Sequence, residues 1–258
     1  MLVLCKCLLG FLVYVLFCGQ VGFGLSVLSA ERVRRLSLGV PIVDDVFPGL
    51  ESGDFAVFYG DDALLMSFVL CVRCVLPEDL GGLGSRAVFV DGGNSFSPYL
   101  IGDVARGYGL DPRVVLDRIY VSRAFTAYQF SALVLEKLEF FVNAKHARLV
   151  VVSDIASLFL DRDIPKTEAK DLFVKVCAKL SDIANNKNCI VLATYRPERR
   201  SKLGLFFEAV LFGRSNVLVK FERRGKTLSF VLQDHPRLKP FRVDFPSDNV
   251  PLTSFMGV

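Results

Sequence analysis

Gly60 and Ser67 open and close the stretch Gly-Asp-Asp-Ala-Leu-Leu-Met-Ser, which lies between the apolar run Phe55–Tyr59 and a helical pattern. A phosphate-binding loop reads G-x-x-x-x-G-K-[ST]. It occurs at such a strand-to-helix junction, where backbone N–H groups and a helix N-terminus meet an anion. Here Leu65 stands at the second glycine and Met66 at the lysine. Leucine does not readily take left-handed backbone angles, and its side chain crowds a phosphate. Methionine carries no charge, so a charge-assisted contact of roughly 1.5–3 kcal/mol is missing. Asp61 and Asp62 add negative charge beside the loop. Gly60, Asp61 and Ser67 are thus candidates for a degenerate nucleotide site.

A second group is basic. Arg196, Arg199, Arg200 and Lys202 follow the apolar run Cys189–Thr194, and Arg214, Lys220, Arg223, Arg224 and Lys226 come soon after, opposed only by Glu198, Glu208 and Glu222. The formal net charge of +4, from 31 Lys plus Arg against 27 Asp plus Glu, is too small to imply a nucleic-acid partner. Any basic surface must come from local clustering. Loops after parallel strands are where an open α/β sheet binds its ligands, and Tyr195 or Phe206 offers a stacking face. Three readings stay open: DNA contact, a solvated basic loop, and a protein or membrane-surface contact.

The elements that must position these residues alternate. Short runs rich in Val, Ile and Phe (Phe55–Tyr59, Ala87–Asp91, Ile119–Arg123, Arg148–Ser153, Cys189–Thr194) are nearly continuously apolar, as strands buried on both faces are. Between them, Leu64–Val75, Tyr99–Tyr108, Ala127–Asn143 and Thr167–Asn185 have helical length and periodicity. Val217–Glu222 and Thr227–Leu232, joined by Arg223, Arg224, Gly225 and Lys226, read as a hairpin that adds an antiparallel edge. A Pro-containing coil follows. The expectation is one α/β domain, a mostly parallel sheet flanked by helices with a C-terminal antiparallel hairpin. With 258 residues, 52% of them hydrophobic, disordered and collagen-like classes are excluded.

Seven cysteines, several inside apolar runs, do not make a disulfide framework, and Cys71–Cys74 lacks the second ligand pair that zinc needs. Residues 1–35 are a separate matter. Met1–Ser29 carries Lys6 as its only charge, and residues 7–28 reach the length of a membrane-spanning helix with Gln20 as the one strongly polar interruption. Arg32, Arg34 and Arg35 would then hold the rest of the chain in the cytoplasm. An extension from an upstream start codon and a packed N-terminal helix are the alternatives.

The stretch LSLGVPIVDDVFPGLESGDFAVFYGD, Leu36–Asp61, resembles the approach to the core domain of the RecA/RadA recombinase superfamily, where a turn reading roughly S-T-G-I-P-x-L-D precedes G-G-G-[IL]-x-x-G and the phosphate-loop strand. VFVDGGNSFSP (Val88–Pro98) is similar to the family's Y-I-D-T-E-x-T-F-R-P. VSRAFTAYQ (Val121–Gln129), LVVVSDIASLF (Leu149–Phe159) and VLATYRPER (Val191–Arg199) continue the likeness in order. FERRGKTLSFVLQDHPRLKP (Phe221–Pro240) resembles the hairpin and K-H-P-x-x-P exit of archaeal RadA and RadB proteins. The resemblance covers residues 36–245, leaving 246–258 as a tail.

It implies a RecA-like P-loop NTPase core with losses. Gly93 falls where the family has the glutamate that activates water, and Ser153–Asp154 reverses the order of the Walker B Asp-Ser. Asp154 reaches a magnesium ion only if the strand end shifts by one residue. ATP and magnesium are therefore expected, if at all, without hydrolysis, on Gly60, Asp61, Ser67 and Asp154. DNA contacts fall on Arg196, Arg199, Arg200, Lys202, Arg223 and Arg224, the region of the family's second DNA loop, with the first near Leu160–Lys170. The resemblance thus implies a non-hydrolysing RadA- or RadB-like paralogue, an accessory factor in recombinational DNA repair. Its partners would be single-stranded DNA and a family recombinase or other protein. The alternatives are a KaiC-type pseudo-ATPase serving as a regulatory or protein-interaction module, and an active ATPase with an unorthodox site.

Overall fold

The computed structural model describes residues 34–198 and 201–246, which belong to one structural unit, Val33–Val258. Residues 7–28, the pair Arg199 and Arg200, and residues 247–258 lie outside the described residues. Among the described residues, no helix is long and apolar enough to cross a membrane.

Strand β1 (Arg35–Leu36) pairs antiparallel with β2 (Leu50–Glu51), and the short helix α1 (Pro41–Asp44) lies between them. Eight further strands form one sheet: β3 (Phe55–Gly60), β4 (Arg86–Asp91), β5 (Ile119–Arg123), β6 (Ala147–Ser153), β7 (Ile190–Tyr195), β8 (Val217–Arg224), β9 (Thr227–Asp234) and β10 (Phe241–Pro246). Their order is β10-β9-β8-β3-β7-β6-β4-β5. Strands β3 to β8 are parallel, while β9 and β10 run antiparallel.

Alternation explains why the strands read as continuously apolar. In β3, Ala56 and Phe58 enter one core while Phe55, Val57 and Tyr59 enter the other; Leu149 and Val151 of β6 oppose Val150 and Val152 in the same way. The first core is roofed by α2 (Ala63–Val75), α3 (Pro98–Gly107) and α4 (Pro112–Leu116). The second is covered by α5 (Ala127–Ala132), α6 (Leu138–Lys145), α7 (Lys166–Lys187) and α8 (Lys202–Arg214).

Four departures from the sequence reading have physical causes. The helix expected over Ala127–Asn143 is interrupted by a π turn, Leu133–Lys137. Phe130, Val134, Leu138 and Val142 are all buried and stand four apart, a spacing that drifts by about 40° per step in an ideal helix. The wider π turn reduces that drift. Helix α8 escaped notice because Leu203, Leu205, Phe206, Phe207, Val210, Leu211 and Phe212 surround its axis and leave no apolar stripe. Strand β10 lies where coil was expected, its short alternation hidden between Pro240 and Pro246. Arg223 and Arg224 belong to β8, not to the turn, which is only Gly225 and Lys226.

The approach to the sheet is fastened by a buried arginine. Arg73 of α2 is 6% exposed; it donates to the Ser37 carbonyl at 2.8 Å, the Tyr108 hydroxyl at 3.0 Å and the Leu80 carbonyl at 3.1 Å. Gly39 has φ +78°, and a Cβ there would lie 2.4 Å from the Tyr108 hydroxyl, so both conformation and space demand glycine.

Candidate functional site

The carboxyl ends of β3, β4, β6 and β7 meet at one edge of the sheet around a cleft of about 130 Å³, lined by residues that include Gly60, Leu64, Gly93, Asp154, Thr194 and Arg196. Ordinary small-molecule sites hold roughly 300–1,000 Å³.

The phosphate-loop sequence forms no loop of the expected kind. Strand β3 ends at Gly60 and α2 begins at Ala63, so only Asp61 and Asp62 connect them. Leu64, Leu65 and Met66 are good helix formers, and with no second glycine the helix runs back through the segment that would cradle phosphate. Leu65 is thereby spared left-handed angles. Met66 is buried, and Ser67 is fully buried with Oγ donating to the Leu64 carbonyl at 2.6 Å.

What remains of the loop is tied to β8. A Cβ on Gly60, φ +91°, would lie 2.2 Å from the Phe221 carbonyl oxygen, and the Asp61 N–H donates to that oxygen at 3.0 Å. The Asp61 carboxylate accepts the Arg223 N–H at 2.8 Å. Asp62, φ +49°, accepts from the Arg223 guanidinium at 3.0 Å through Nε and 2.6 Å through Nη2. Two carboxylates thus occupy the approach to the helix N-terminus, where negative charge is favoured. With the Asp61 N–H taken by Phe221, the Ser67 hydroxyl buried against the Leu64 carbonyl and no cation at Met66, these residues do not fit a magnesium-bound nucleoside triphosphate. Arg223 is 41% exposed, so its pair with Asp62 is worth about 1 kcal/mol. Arg223→Ala and Asp62→Ala should each lower stability by about that amount, with the double variant no worse than either single one, as chemical denaturation will read.

At the opposite wall the register is explicit. Ser153 ends β6 opposite Asp91, and Asp154 follows in a left-handed conformation, φ +50°. Its N–H donates to Thr194 Oγ1 at 2.9 Å. Burial pushes the Asp154 carboxyl up, with Arg196 opposing it. A Cβ on Gly93 would lie 2.7 Å from Asp154 Cβ and 3.1 Å from its Oδ2, so Asp154 fills the space a side chain at 93 needs. A side chain at 93 and the Asp154 side chain thus compete for the same space.

Sequence reasoning missed Asp91. It is fully buried, and Oδ1 accepts from the Ser95 N–H at 2.9 Å, the Ser95 hydroxyl at 3.3 Å and the Ser153 hydroxyl at 2.9 Å. Oδ2 accepts from the Phe96 N–H at 3.2 Å and from Arg123 Nε and Nη2, both at 2.9 Å. Burial acts to raise this carboxyl, but the donors outweigh it and hold it below the usual range. The signal was a single acid closing an apolar strand before Gly92-Gly93.

The family model described as Rad51 matches residues 31–201, which contain both walls of this cleft. The chain belongs to the Rad51 family. It is similar to the DNA repair and recombination protein RadA of Methanococcus maripaludis, 30% identical over 182 residues, covering 64% of this chain and 56% of that one. A second similar protein is the DNA repair protein RAD51 homolog B of Zea mays, 31% identical over 137 residues, 51% of this chain and 40% of that one. RadA of Aeropyrum pernix is 32% identical over 136 residues, 51% and 42% of the two chains. The chain spans about half the length of the curated relatives it matches.

On this Rad51-family core the basic residues do not form one group. Arg196 is exposed on the cleft rim after β7, and Lys202, also exposed, is the first residue of α8, whose cap is Ser201. Arg199 and Arg200 lie outside the described residues between them. Arg223 is committed to Asp62 across the loop, which separates it from the expected set. Arg224, 72% exposed, makes a 3.4 Å contact to Glu222, which also pairs with Lys220 and Arg242.

Proposed function

We propose that this Rad51-family protein works without hydrolysing ATP, as an accessory factor in recombinational DNA repair, through contacts with single-stranded DNA, with protein, or with both. The observation that carries this reading is the phosphate-loop segment folded into α2 and bound to β8 through Asp61, Asp62 and Arg223. Gly93 supports it, since no general base stands there. Residues 36–245 are the working core in this reading. Arg196, exposed on the cleft rim, and Lys202 flank Arg199 and Arg200 in sequence, so the four residues are the proposed DNA contacts, with Arg224 at the margin. Such contacts are made to phosphates and are independent of sequence.

The test is a pair of fluorescence titrations on the full chain, one with labelled ATP and magnesium, one with a labelled thymidine oligonucleotide at low salt. ATP should give no saturable binding. The oligonucleotide should bind with an affinity that falls as salt rises, losing about 0.7 of slope in log K against log salt per phosphate contact removed. Arg199→Glu with Arg200→Glu should weaken it by about tenfold or more. Saturable ATP binding with turnover that Asp154→Ala abolishes would overturn the non-hydrolysing half. Oligonucleotide binding that is absent, or unchanged in the charge-reversed variant, would remove DNA and leave protein as the partner.

A further inference from the structure

A pocket of about 150 Å³ lies apart from the cleft, between the end of β5 and the turn after β6. Phe125, Tyr128, Leu158 and Ile164 supply its apolar lining, and Asp161 and Asp163 its acidic lining. Phe125 is 67% exposed and Tyr128 46%. Neither aromatic has a loose base. The Phe125 N–H donates to Gln129 Oε1 at 3.0 Å, while Thr126 Oγ1, the cap of α5, accepts the Gln129 N–H at 3.2 Å. The Tyr128 hydroxyl donates to Glu168 of α7 at 2.8 Å. Asp161 Oδ1 accepts the N–H groups of Arg162, at 2.6 Å, and Asp163, at 3.4 Å, which sets the turn. Neither Asp161 nor Asp163 has an ion pair among the described residues.

Large aromatic surface held open on a fixed backbone is the form of an anchor site, and a cavity of about this volume accommodates a benzene-sized group. Bases stack on exposed rings too, and the resemblance puts a DNA loop at Leu160–Lys170. The charges at the pocket point the other way. Phosphates approaching Phe125 would meet Asp161 and Asp163, with Glu168 behind Tyr128. The cations of this stretch are placed elsewhere: Lys170 lies over the Phe206 ring at 4.9 Å, and Arg162 and Lys166 are exposed outside the lining. Lysine or arginine beside an apolar anchor would find carboxylates.

We infer that this pocket docks a partner protein through a segment in which one bulky apolar side chain is flanked by lysine or arginine. The apolar side chain fills the space between Phe125, Leu158 and Ile164, and the flanking cations meet Asp161 and Asp163. This surface shares no lining residue with the proposed DNA contacts and operates whether or not those contacts form.

The test is selection of a random dodecapeptide library, displayed on phage, against the full chain. Enriched peptides should share an aromatic or large aliphatic residue next to Lys or Arg. The best of them, made with a fluorescein label, should lose at least tenfold in affinity on Phe125→Ala, and likewise on Asp161→Lys with Asp163→Lys. Arg199→Glu with Arg200→Glu should leave it unchanged. Phe125, Asp161 and Asp163 are exposed, so each variant should still melt cooperatively; Asp161→Lys also removes the acceptor that sets the turn, so Asp163→Lys alone, which keeps it, should also weaken the peptide. The inference is overturned if no enriched peptide depends on Phe125, if the enriched peptides are acidic, or if a thymidine oligonucleotide displaces the peptide from the parent protein.

Discussion

Gly93→Glu, which returns the carboxylate that the Rad51 family's pattern has at this position, should destabilise this protein by about 3 kcal/mol. Two terms add. The new side chain overpacks the wall, because its Cβ alone would stand 2.7 Å from Asp154 Cβ, and overpacking typically costs about 1–3 kcal/mol. Its carboxylate would also face that of Asp154 in a half-buried cleft, where like charges disfavour one another's ionised forms. At about 2–4 °C per kcal/mol for a domain of this size, the melting temperature should fall by roughly 6–12 °C. Asp154→Gly should be close to neutral alone, since glycine takes φ +50° without strain and keeps the N–H to Thr194. Combined with Gly93→Glu it should recover more than half of the loss, a coupling that a double-mutant cycle isolates. The pH dependence has a definite sign. The Asp154 carboxyl is already raised, so the stability it contributes is full below the ordinary carboxylate range and is lost as pH rises through its raised value. A second carboxylate enlarges that loss, so the gap between variant and parent should be widest at neutral pH and narrow in acid. Equal melting temperatures for parent and Gly93→Glu, or no recovery from Asp154→Gly, would show that the two positions are not linked.

The same linkage explains what could be read beforehand. The α/β class and the five central strands were legible because each strand is buried on both sides and its composition is dictated at nearly every residue. The losses at Leu65, Met66 and Gly93 were legible as absences from a pattern. Their consequence was not, because it depends on partners distant in sequence. Asp62 meets Arg223 only across the β3–β8 pairing, and Gly93 meets Asp154 only across the β4–β6 pairing. Arg223 therefore read as one more cation in a basic run when its charge is directed into the loop. Helix α8 was hidden for the opposite reason, too many apolar residues to define a face.

A phosphate-binding loop stays open because glycines oppose the helix and the bound anion supplies the charge its N–H groups need. Replace the second glycine and the lysine by Leu65 and Met66, and the helix lengthens toward the strand. Its N-terminus then needs an internal anion. Asp61 and Asp62, which stand as obstacles to phosphate, put negative charge beside that N-terminus without capping its N–H groups, and both carboxylates accept from Arg223. The substitutions in this segment are mutually consistent as a closed structure.

Asp91→Asn should be the most damaging single change at the cleft, about 3–5 kcal/mol, because it removes a fully buried carboxylate whose lost or opposed hydrogen bonds cost about 1–3 kcal/mol each. Asparagine has nearly the same shape, so the loss is electrostatic. On the Oδ2 side an amide NH₂ would face only donors, the Phe96 N–H and Arg123; on the Oδ1 side it would oppose the Ser95 N–H and force the Ser95 and Ser153 hydroxyls to turn from donating to accepting. Two or more hydrogen bonds are lost, and a donor is set against donors. The melting temperature should drop by roughly 6–20 °C. Arg123→Met should cost less, since the Ser95, Phe96 and Ser153 donors remain and Arg123 is 37% exposed. Acid titration separates this from simple loss of packing. The Asp91 carboxyl is lowered, so its stabilisation is full above the ordinary carboxylate range and is lost as pH falls through the lowered value. Asp91→Asn should therefore be less sensitive to acid than the parent, and the two stability curves should converge below about pH 4. A parallel pair of curves would mean that the residue fills space and its charge does nothing. Convergence would identify the ionised Asp91 carboxylate, held by the Ser95, Phe96, Ser153 and Arg123 donors, as the stabilising group.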